Sequence, residues 1–175
     1  MSALGASVQV IAGGEIYPAL ERGAIDATEW VGPYDDEKLG FYKVAKNYYY
    51  PGWWEPGPSM SIYIGEKAWA SLPATYKEIL KSAIHEAGLE MQRRYDARNP
   101  AALKRILSQG VTLRPFSEDL LSGALEASIQ ILEDHAAKDG GYKKIHDHWK
   151  ATRADQFKFF STAELAYAQF AYPRG

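Results

Sequence analysis

The length, composition and charge of the chain exclude several classes of protein. At 175 residues, with 46% hydrophobic and 13% aromatic residues, the chain is long enough to enclose a globular core. Its net charge of −2 and its lack of a basic stripe argue against binding to nucleic acid, because nothing is present to neutralise phosphates. The absence of cysteine excludes disulfides, thiolate metal sites and cysteine nucleophiles.

The first third of the chain alternates strand-like and helix-like segments. Residues 6–11 alternate in polarity and carry β-branched side chains, which predicts a short strand. A glycine pair then leads into a predicted helix over residues 15–22, which Gly23 ends. A second predicted strand follows at residues 25–30.

The next segment repeats this alternation. An acidic run at residues 35–37 predicts the start of a helix over residues 34–45. Two strand-like segments, residues 47–50 and 59–64, follow on either side of a loop rich in proline, glycine and tryptophan. Strands that alternate with helices favour an α/β fold with a small mixed sheet over a helical bundle.

Long helices dominate the chain from Leu72 onward. Residues 74–98 form the first predicted helix, with Pro73 at its start, and Asn99-Pro100 predicts a kink or a restart. One face of this helix is expected to be buried because its apolar residues recur every four positions: Ile79, Ala83, Ala87 and Met91.

The last part of the chain contains two more predicted helices. After a short strand at residues 111–113, Ser117 is expected to cap a helix that runs to Lys138. A turn at Asp139-Gly140-Gly141 then leads into a helix over residues 142–172, which is rich in aromatic residues.

Two loops carry the candidate functional residues. Glu29 lies in IDATEWVGP (residues 25–33) and Glu55 in PGWWEPGP (residues 51–58), each beside tryptophan and close to Gly-Pro turns. A carboxylate in such an apolar setting is costly to bury unless a cation or a hydrogen-bond donor offsets its desolvation. Two carboxylates from separate loops indicate oxygen ligands for a hard cation such as calcium or sodium.

The same residues also fit ordinary structural roles. Each carboxylate could cap a loop backbone or face water, which is the usual fate of glutamate. Trp30, Trp53 and Trp54 could pack as a lid over the sheet, or Trp30 could form one wall of an apolar slot for a small ligand.

The segments GGEIYPALERGAIDATEW (residues 13–30) and YYYPGWWEPGP (residues 48–58), with the long helices beyond, resemble the extracytoplasmic solute receptors of TRAP transporters. The similarity covers nearly the whole chain and is strongest to the branch that binds 2-oxo acids such as pyruvate. It implies the second lobe of a two-domain periplasmic binding protein, with most of the first domain upstream of Met1. Residues 1–72 would form the substrate- and metal-binding half-domain, and residues 73–175 the helices that complete it and span to the first lobe. No signal peptide is visible in residues 1–9.

The resemblance also implies a ligand set. Carboxylates at Glu29 and Glu55 and the backbone carbonyl of Trp30 would hold calcium or sodium, with a glutamine supplied by the first domain. An arginine upstream of Met1 would anchor the substrate carboxylate. This chain would therefore hold a half-site, with Trp30 against the carbon tail of the substrate, and would bind 2-oxo acids poorly by itself.

The aromatic content of the last predicted helix exceeds what one terminal helix buries in a small domain. Its members are Trp149, Phe157, Phe159, Phe160, Tyr167, Phe170 and Tyr172. These side chains would pack along the first domain or against a second subunit, since some members of the family exchange this helix within a dimer. The resemblance further implies TRAP membrane subunits as partners.

Two other classes of function compete with a receptor. One is a free-standing interaction domain that oligomerises through its aromatic C-terminal helix and has no ligand. The other, an oxygen-ligand metalloenzyme, lacks support because the sequence contains no nucleophile elbow, phosphate loop or dinucleotide fingerprint. His146 and His148 are two residues apart and do not share a helix face, which argues against a histidine metal site.

Overall fold

A computed structural model describes residues 1–55, 57 and 60–174 of the chain. The helices and strands, in chain order, are α1 (Gly13–Glu21), α2 (Pro33–Leu39), β1 (Asn47–Tyr50), α3 (Glu66–Ser71), α4 (Ala74–Ser108), β2 (Thr112–Pro115), α5 (Glu118–Lys138), α6 (Gly140–Phe160) and α7 (Ala166–Ala171). Short 3₁₀ turns lie at Ser2–Leu4, Phe41–Lys43 and Tyr172–Arg174, and a π-helical turn at Ser161–Leu165 joins α6 to α7. None of the helices formed by the described residues has the length and apolar composition required to cross a membrane.

The chain divides into two compact units. The first consists of Gln9–Ser117, and the second of Met1–Val8 together with the chain from Glu118 onward. The functional division into residues 1–72 and 73–175 stays a prediction.

The sheet of the first unit has two parallel strands. Asn47 pairs with Thr112 and Tyr50 with Pro115, and at the two ends Thr112 N donates to Lys46 O and Phe116 N to Tyr50 O, each at 2.8 Å. The α/β class is confirmed, as is the strand predicted at residues 47–50. Within the described residues, however, the sheet is parallel and two-stranded, not mixed.

Three predicted strands are not formed. Residues 6–11, 25–30 and 60–64 have no regular secondary structure, and residue 59 lies outside the described part. Their β-branched and aromatic side chains are largely exposed, and Val10 and Tyr63 are almost completely so. The preference of such residues for strands depends on pairing with a neighbour. None of the described residues pairs with these segments, so the local preference is not realised.

Helix α2 is held against the C-terminal half of α4. Tyr34 N donates to the side-chain Oδ1 of Asn99 at 3.0 Å, and the carboxylate of Glu37 receives two bonds from Arg105, at 2.6 and 2.7 Å. Helix α4 does not end at Asn99-Pro100 but continues to Ser108, so the predicted restart is wrong. Packing against α2 outweighs the local preference of a residue before proline.

The predicted buried face of α4 is also wrong at its N-terminal end. Ile79, Ala83 and Ala87 are exposed and Met91 is half-buried, whereas the buried residues of α4 are Ala102 and Ile106. Helix α2 contacts α4 near Tyr95, Asn99 and Arg105, so among the described residues it does not cover the first turns of α4. The apolar repeat therefore identifies a face that is exposed among the described residues.

The second unit is built on the pair α5 and α6. Asp139, placed in a predicted turn, is the N-cap of α6 and accepts the N–H of Tyr142 at 2.8 Å. Lys150 on α6 pairs with Glu133 on α5 at 2.6 Å, and Ala124, Ala136 and His146 are buried. The single helix predicted over residues 142–172 is divided by the π-helical turn.

Candidate cation and carboxylate site

Trp30 packs against the start of α1. Its ring lies so close to Gly13 that a Cβ there would come within 2.8 Å of Trp30 Cη2. Carbon atoms do not approach each other this closely, so the position of the ring depends on glycine at residue 13. The Trp30 side chain remains 39% exposed, which leaves ring surface available for a ligand.

A hydrogen bond joins the two loops that carry the candidate carboxylates. The indole Nε1 of Trp54 donates to Oε2 of Glu29 at 2.7 Å. Trp54 is held in turn by edge-to-face contacts with Trp53, at 5.4 Å between ring centroids, and with Phe116 at 5.9 Å. Because Phe116 follows β2 directly, the sheet anchors the second loop beside the first.

Glu55 follows Trp54 directly and is exposed. The structure therefore brings Glu29 and the loop of Glu55 together through Trp54. Whether the two carboxylates share one ion stays a prediction, and so do the ligand roles of Glu29, Trp30 and Glu55.

The donor set suits a hard cation. Two carboxylates and one backbone carbonyl offer oxygen alone, which calcium and sodium accept and which zinc does not prefer. In the part of the chain that the structure describes, no group of three or more His, Cys, Asp or Glu side chains could hold a metal ion. A site built on Glu29 and Glu55 therefore needs the Trp30 carbonyl and at least one further ligand.

Asp36 is a charged residue of this region whose sequence context predicts only the acidic start of a helix. It is 8% exposed, and its Oδ2 accepts the hydroxyl of Tyr48 on β1 at 2.5 Å. Its Oδ1 makes no hydrogen bond of ordinary geometry with any described residue. Successive helical residues point about 100° apart, so one of three adjacent acidic residues had to face the protein. The three adjacent acidic residues were therefore the sequence signal that one carboxyl would be buried.

The environment of Asp36 favours its neutral form. Burial, together with the negative charges of Asp35 and Glu29, raises the pKa of Asp36 to about 6. The Tyr48 hydroxyl and the Gly32 N–H partly oppose this increase in the pKa. The effect of Glu29 on this pKa indicates that the buried carboxyl lies near the candidate site.

The other acidic residues of α2 are ionised and paired. Burial raises the pKa of Asp35, but hydrogen bonds from Tyr95, at 2.6 Å, and from Lys38 outweigh it, and the pKa is lowered. The two bonds from Arg105 hold the pKa of Glu37 below its usual range. These contacts fix α2 and with it the loop of Glu29, which ends where α2 begins.

Comparison with known proteins shows the family to which the chain is similar. The sequence profile of bacterial extracellular solute-binding protein, family 7, matches residues 1–139. A monocarboxylate 2-oxoacid-binding periplasmic protein of Nostoc sp. (strain PCC 7120) is 52% identical over 171 residues, which are 98% of this chain and 47% of that protein. The family consists of solute-binding proteins and is not a family of enzymes.

Solved structures of similar proteins contain ions and small carboxylates. A TRAP transporter solute-binding protein of Bordetella bronchiseptica has a TM-score of 0.94 and 41% identity, over 98% of this chain and 51% of that one. It is a dimer of mixed occupancy, with copurified calcium and picolinate in one active site and an apo site in the other.

Two more TRAP periplasmic solute-binding proteins were solved with pyruvate. The protein of Colwellia psychrerythraea, with calcium, has a TM-score of 0.89 and 32% identity, and covers 96% of this chain and 52% of that one. The protein of Pseudoalteromonas atlantica, with sodium, has a TM-score of 0.88 and 35% identity, and covers 96% and 51%. The chain thus spans about half the length of the relatives that it matches, and it belongs to bacterial extracellular solute-binding protein family 7.

Proposed function

We propose that this chain is the cation-binding half of a periplasmic TRAP receptor that holds a small carboxylate, a 2-oxo acid such as pyruvate, through a calcium or sodium ion. The observation that carries the proposal is the 2.7 Å hydrogen bond between Trp54 and Glu29, which joins the two loops named by the resemblance. The ions and acids found in the similar structures support the same class of ligand.

In this proposal each residue has a defined role. Glu29, Glu55 and the carbonyl of Trp30 provide oxygen ligands, and the bound cation supplies positive charge that attracts the substrate carboxylate. Trp54 keeps Glu29 oriented through its indole N–H. The exposed face of the Trp30 ring contacts the carbon tail of the acid and excludes water from one side.

The relatives are about twice as long as this chain, so about half of each relative has no counterpart in it. The remaining half of the relatives would correspond to a lobe that closes on the ligand by a hinge motion and contributes an arginine and a glutamine. TRAP membrane subunits and a second copy of the receptor would be the protein partners.

A non-receptor alternative has one observation in its favour. Five aromatic side chains between Phe157 and Tyr172 are more than half exposed: Phe157, Phe159, Tyr167, Phe170 and Tyr172. An interaction domain without a ligand would use this surface and would bind no cation.

Calcium binding separates the two functions. Isothermal titration calorimetry of the 175-residue chain is expected to show weak calcium binding. Glu29→Gln or Glu55→Gln should lower the affinity for calcium by at least about tenfold, since each removes a charged ligand. Glu126→Gln is the matched control, because Glu126 is exposed on α5 and outside the site. Equal affinities in all four proteins would contradict the proposed site.

The chain by itself is expected to bind pyruvate weakly, with a Kd above about 1 mM. A charge-assisted bidentate pair is among the strongest single contacts to a carboxylate, and the arginine that the resemblance implies is not in this chain. Calorimetry with pyruvate, with and without calcium, measures the affinity. A micromolar Kd would show that these 175 residues contain a complete substrate site, which would contradict the half-site proposed at Glu29, Trp30 and Glu55.

A further inference from the structure

Asp36 is unusual because its burial lowers stability without an evident gain. The residue is 8% exposed, one carboxylate oxygen makes no hydrogen bond of ordinary geometry with a described residue, and the charges of Asp35 and Glu29 act against its ionised form. A buried polar pair of this kind is often no more stable than apolar residues of the same volume. Fold stability therefore gives no reason for a carboxyl here.

The position of the hydrogen bond between Tyr48 and Asp36 suggests another reason for a carboxyl at residue 36. Asp36 lies seven residues after Glu29, and its partner Tyr48 lies seven residues before Glu55. The bond at 2.5 Å thus connects α2, which begins at the end of the Glu29 loop, to β1, which leads into the Glu55 loop. The hydrogen bond from Trp54 to Glu29 connects the same two loops a second time, directly.

We propose that Asp36 and Tyr48 are positioning residues for the candidate cation site, whose hydrogen bond sets the spacing between the Glu29 loop and the Glu55 loop. The inference rests on the proposed function for its purpose, but the geometric link exists without an ion. Other hydrogen bonds of α2 join it to α4. Tyr34 N donates to Asn99, Asp35 accepts from Tyr95, and Glu37 accepts from Arg105. These bonds hold α2 but do not connect it to β1.

The metal-free protein allows a direct test, because the Trp54 indole N–H reports whether the two loops stay together. Solvent exchange of this proton is measured by NMR on protein labelled with ¹⁵N at tryptophan, with the resonance assigned by Trp54→Phe. Tyr48→Phe removes the hydroxyl that links α2 to β1, and we expect exchange at Trp54 to accelerate about fivefold, the factor for one lost hydrogen bond.

Tyr95→Phe is the matched control. It removes the same group from a bond of similar length, 2.6 Å, to the adjacent carboxylate Asp35, while two other contacts of α2 with α4 remain. It is expected to lower stability and to leave the Trp54 exchange rate within about twofold of wild type. Equal acceleration in Tyr48→Phe and Tyr95→Phe would reduce Tyr48 to a structural contact and overturn the inference.

Two variants of Asp36 separate positioning from charge, and they carry the test if Tyr48→Phe does not fold. Asp36→Asn keeps an oxygen for the Tyr48 hydroxyl, whereas Asp36→Ala removes it, so only the alanine variant should show the fivefold acceleration. Equal acceleration in both would mean that the charge matters and not the bond.

The same proteins are titrated with calcium. Tyr48→Phe and Asp36→Ala are expected to weaken calcium binding by about fivefold, and Asp36→Asn by less than about threefold. A wild-type chain that binds no calcium would contradict the proposed function and leave the exchange result intact. Unchanged Trp54 exchange in Tyr48→Phe would overturn the positioning role whether or not calcium binds.

Discussion

Deletion of residues 156–175 is expected to convert the protein from a dimer into a monomer. The deleted segment contains the end of α6, the π-helical turn and α7, and with them four aromatic side chains that are 63–78% exposed: Phe159, Tyr167, Phe170 and Tyr172. Aromatic side chains of this exposure present roughly 400–500 Å² of surface per chain, and its burial is worth about 10 kcal/mol before the cost of association.

Multi-angle light scattering measures the change. The intact chain should have twice the monomer mass of 19.5 kDa, and the deleted chain the mass of one subunit. A point variant, Phe159→Ser with Phe170→Ser, should also dissociate. Its matched control is Ile62→Ser with Tyr63→Ser, which alters side chains that are 62% and 93% exposed in the first unit.

Two results would contradict this assignment. A monomeric intact chain would mean that the aromatic surface is not an association surface at the concentrations used. A dimer that survives the deletion would place the association surface elsewhere, for which the exposed face of α4 at Ile79, Ala83 and Ala87 is the next candidate.

Asp36→Asn is expected to stabilise the protein at neutral pH and to have little effect at pH 4. The pKa of Asp36 is raised from 3.8 to about 6 in the folded protein, so between these values the folded state holds a proton that the unfolded state has lost. The free energy of unfolding contributed by this group therefore falls as pH rises through that window, by about 3 kcal/mol in total. Asparagine cannot ionise and avoids this loss.

Urea unfolding at pH 4.0, 5.0, 6.0 and 7.5 tests the sign. The free energy of unfolding of Asp36→Asn, relative to wild type, should increase with pH up to about pH 6 and then level off. Asp35→Asn is the control with the opposite sign, since the pKa of Asp35 is lowered in the folded protein. Its relative stability should fall as pH rises from the lowered folded pKa to the unfolded value of 3.8, and should be nearly constant between pH 5.0 and 7.5. A relative stability of Asp36→Asn that does not change with pH would contradict the buried, proton-holding state of Asp36.

This prediction also bears on function. A gain in stability together with a small loss of calcium affinity in Asp36→Asn would show that the buried carboxyl lowers stability at a position that serves the site. Such exchanges of stability for activity are common at binding sites.

Features that depend on neighbouring residues were predictable from the sequence. The strand at residues 47–50, the start of α4 after Pro73 and the end of α5 at Lys138 agree with the structure. The two helix boundaries depend on local chemistry, since proline fits the first turn of a helix and the Asp139 side chain caps the helix that follows α5. The two candidate loops were also proposed from local composition, from glutamate and tryptophan near proline and glycine, and their role in a site stays a prediction.

Only the tertiary structure decided which of these local preferences are realised. Pro100 lies inside a continuous helix because α2 packs against it, and residues 6–11 form no strand because no described strand pairs with them. Asp36 is buried and Asp35 is not, although the two are adjacent, because only Asp36 faces Tyr48. Partners such as Trp54 for Glu29 lie 25 residues away in the chain. No local pattern encodes such a distance, because the partner is chosen by the path of the backbone between them.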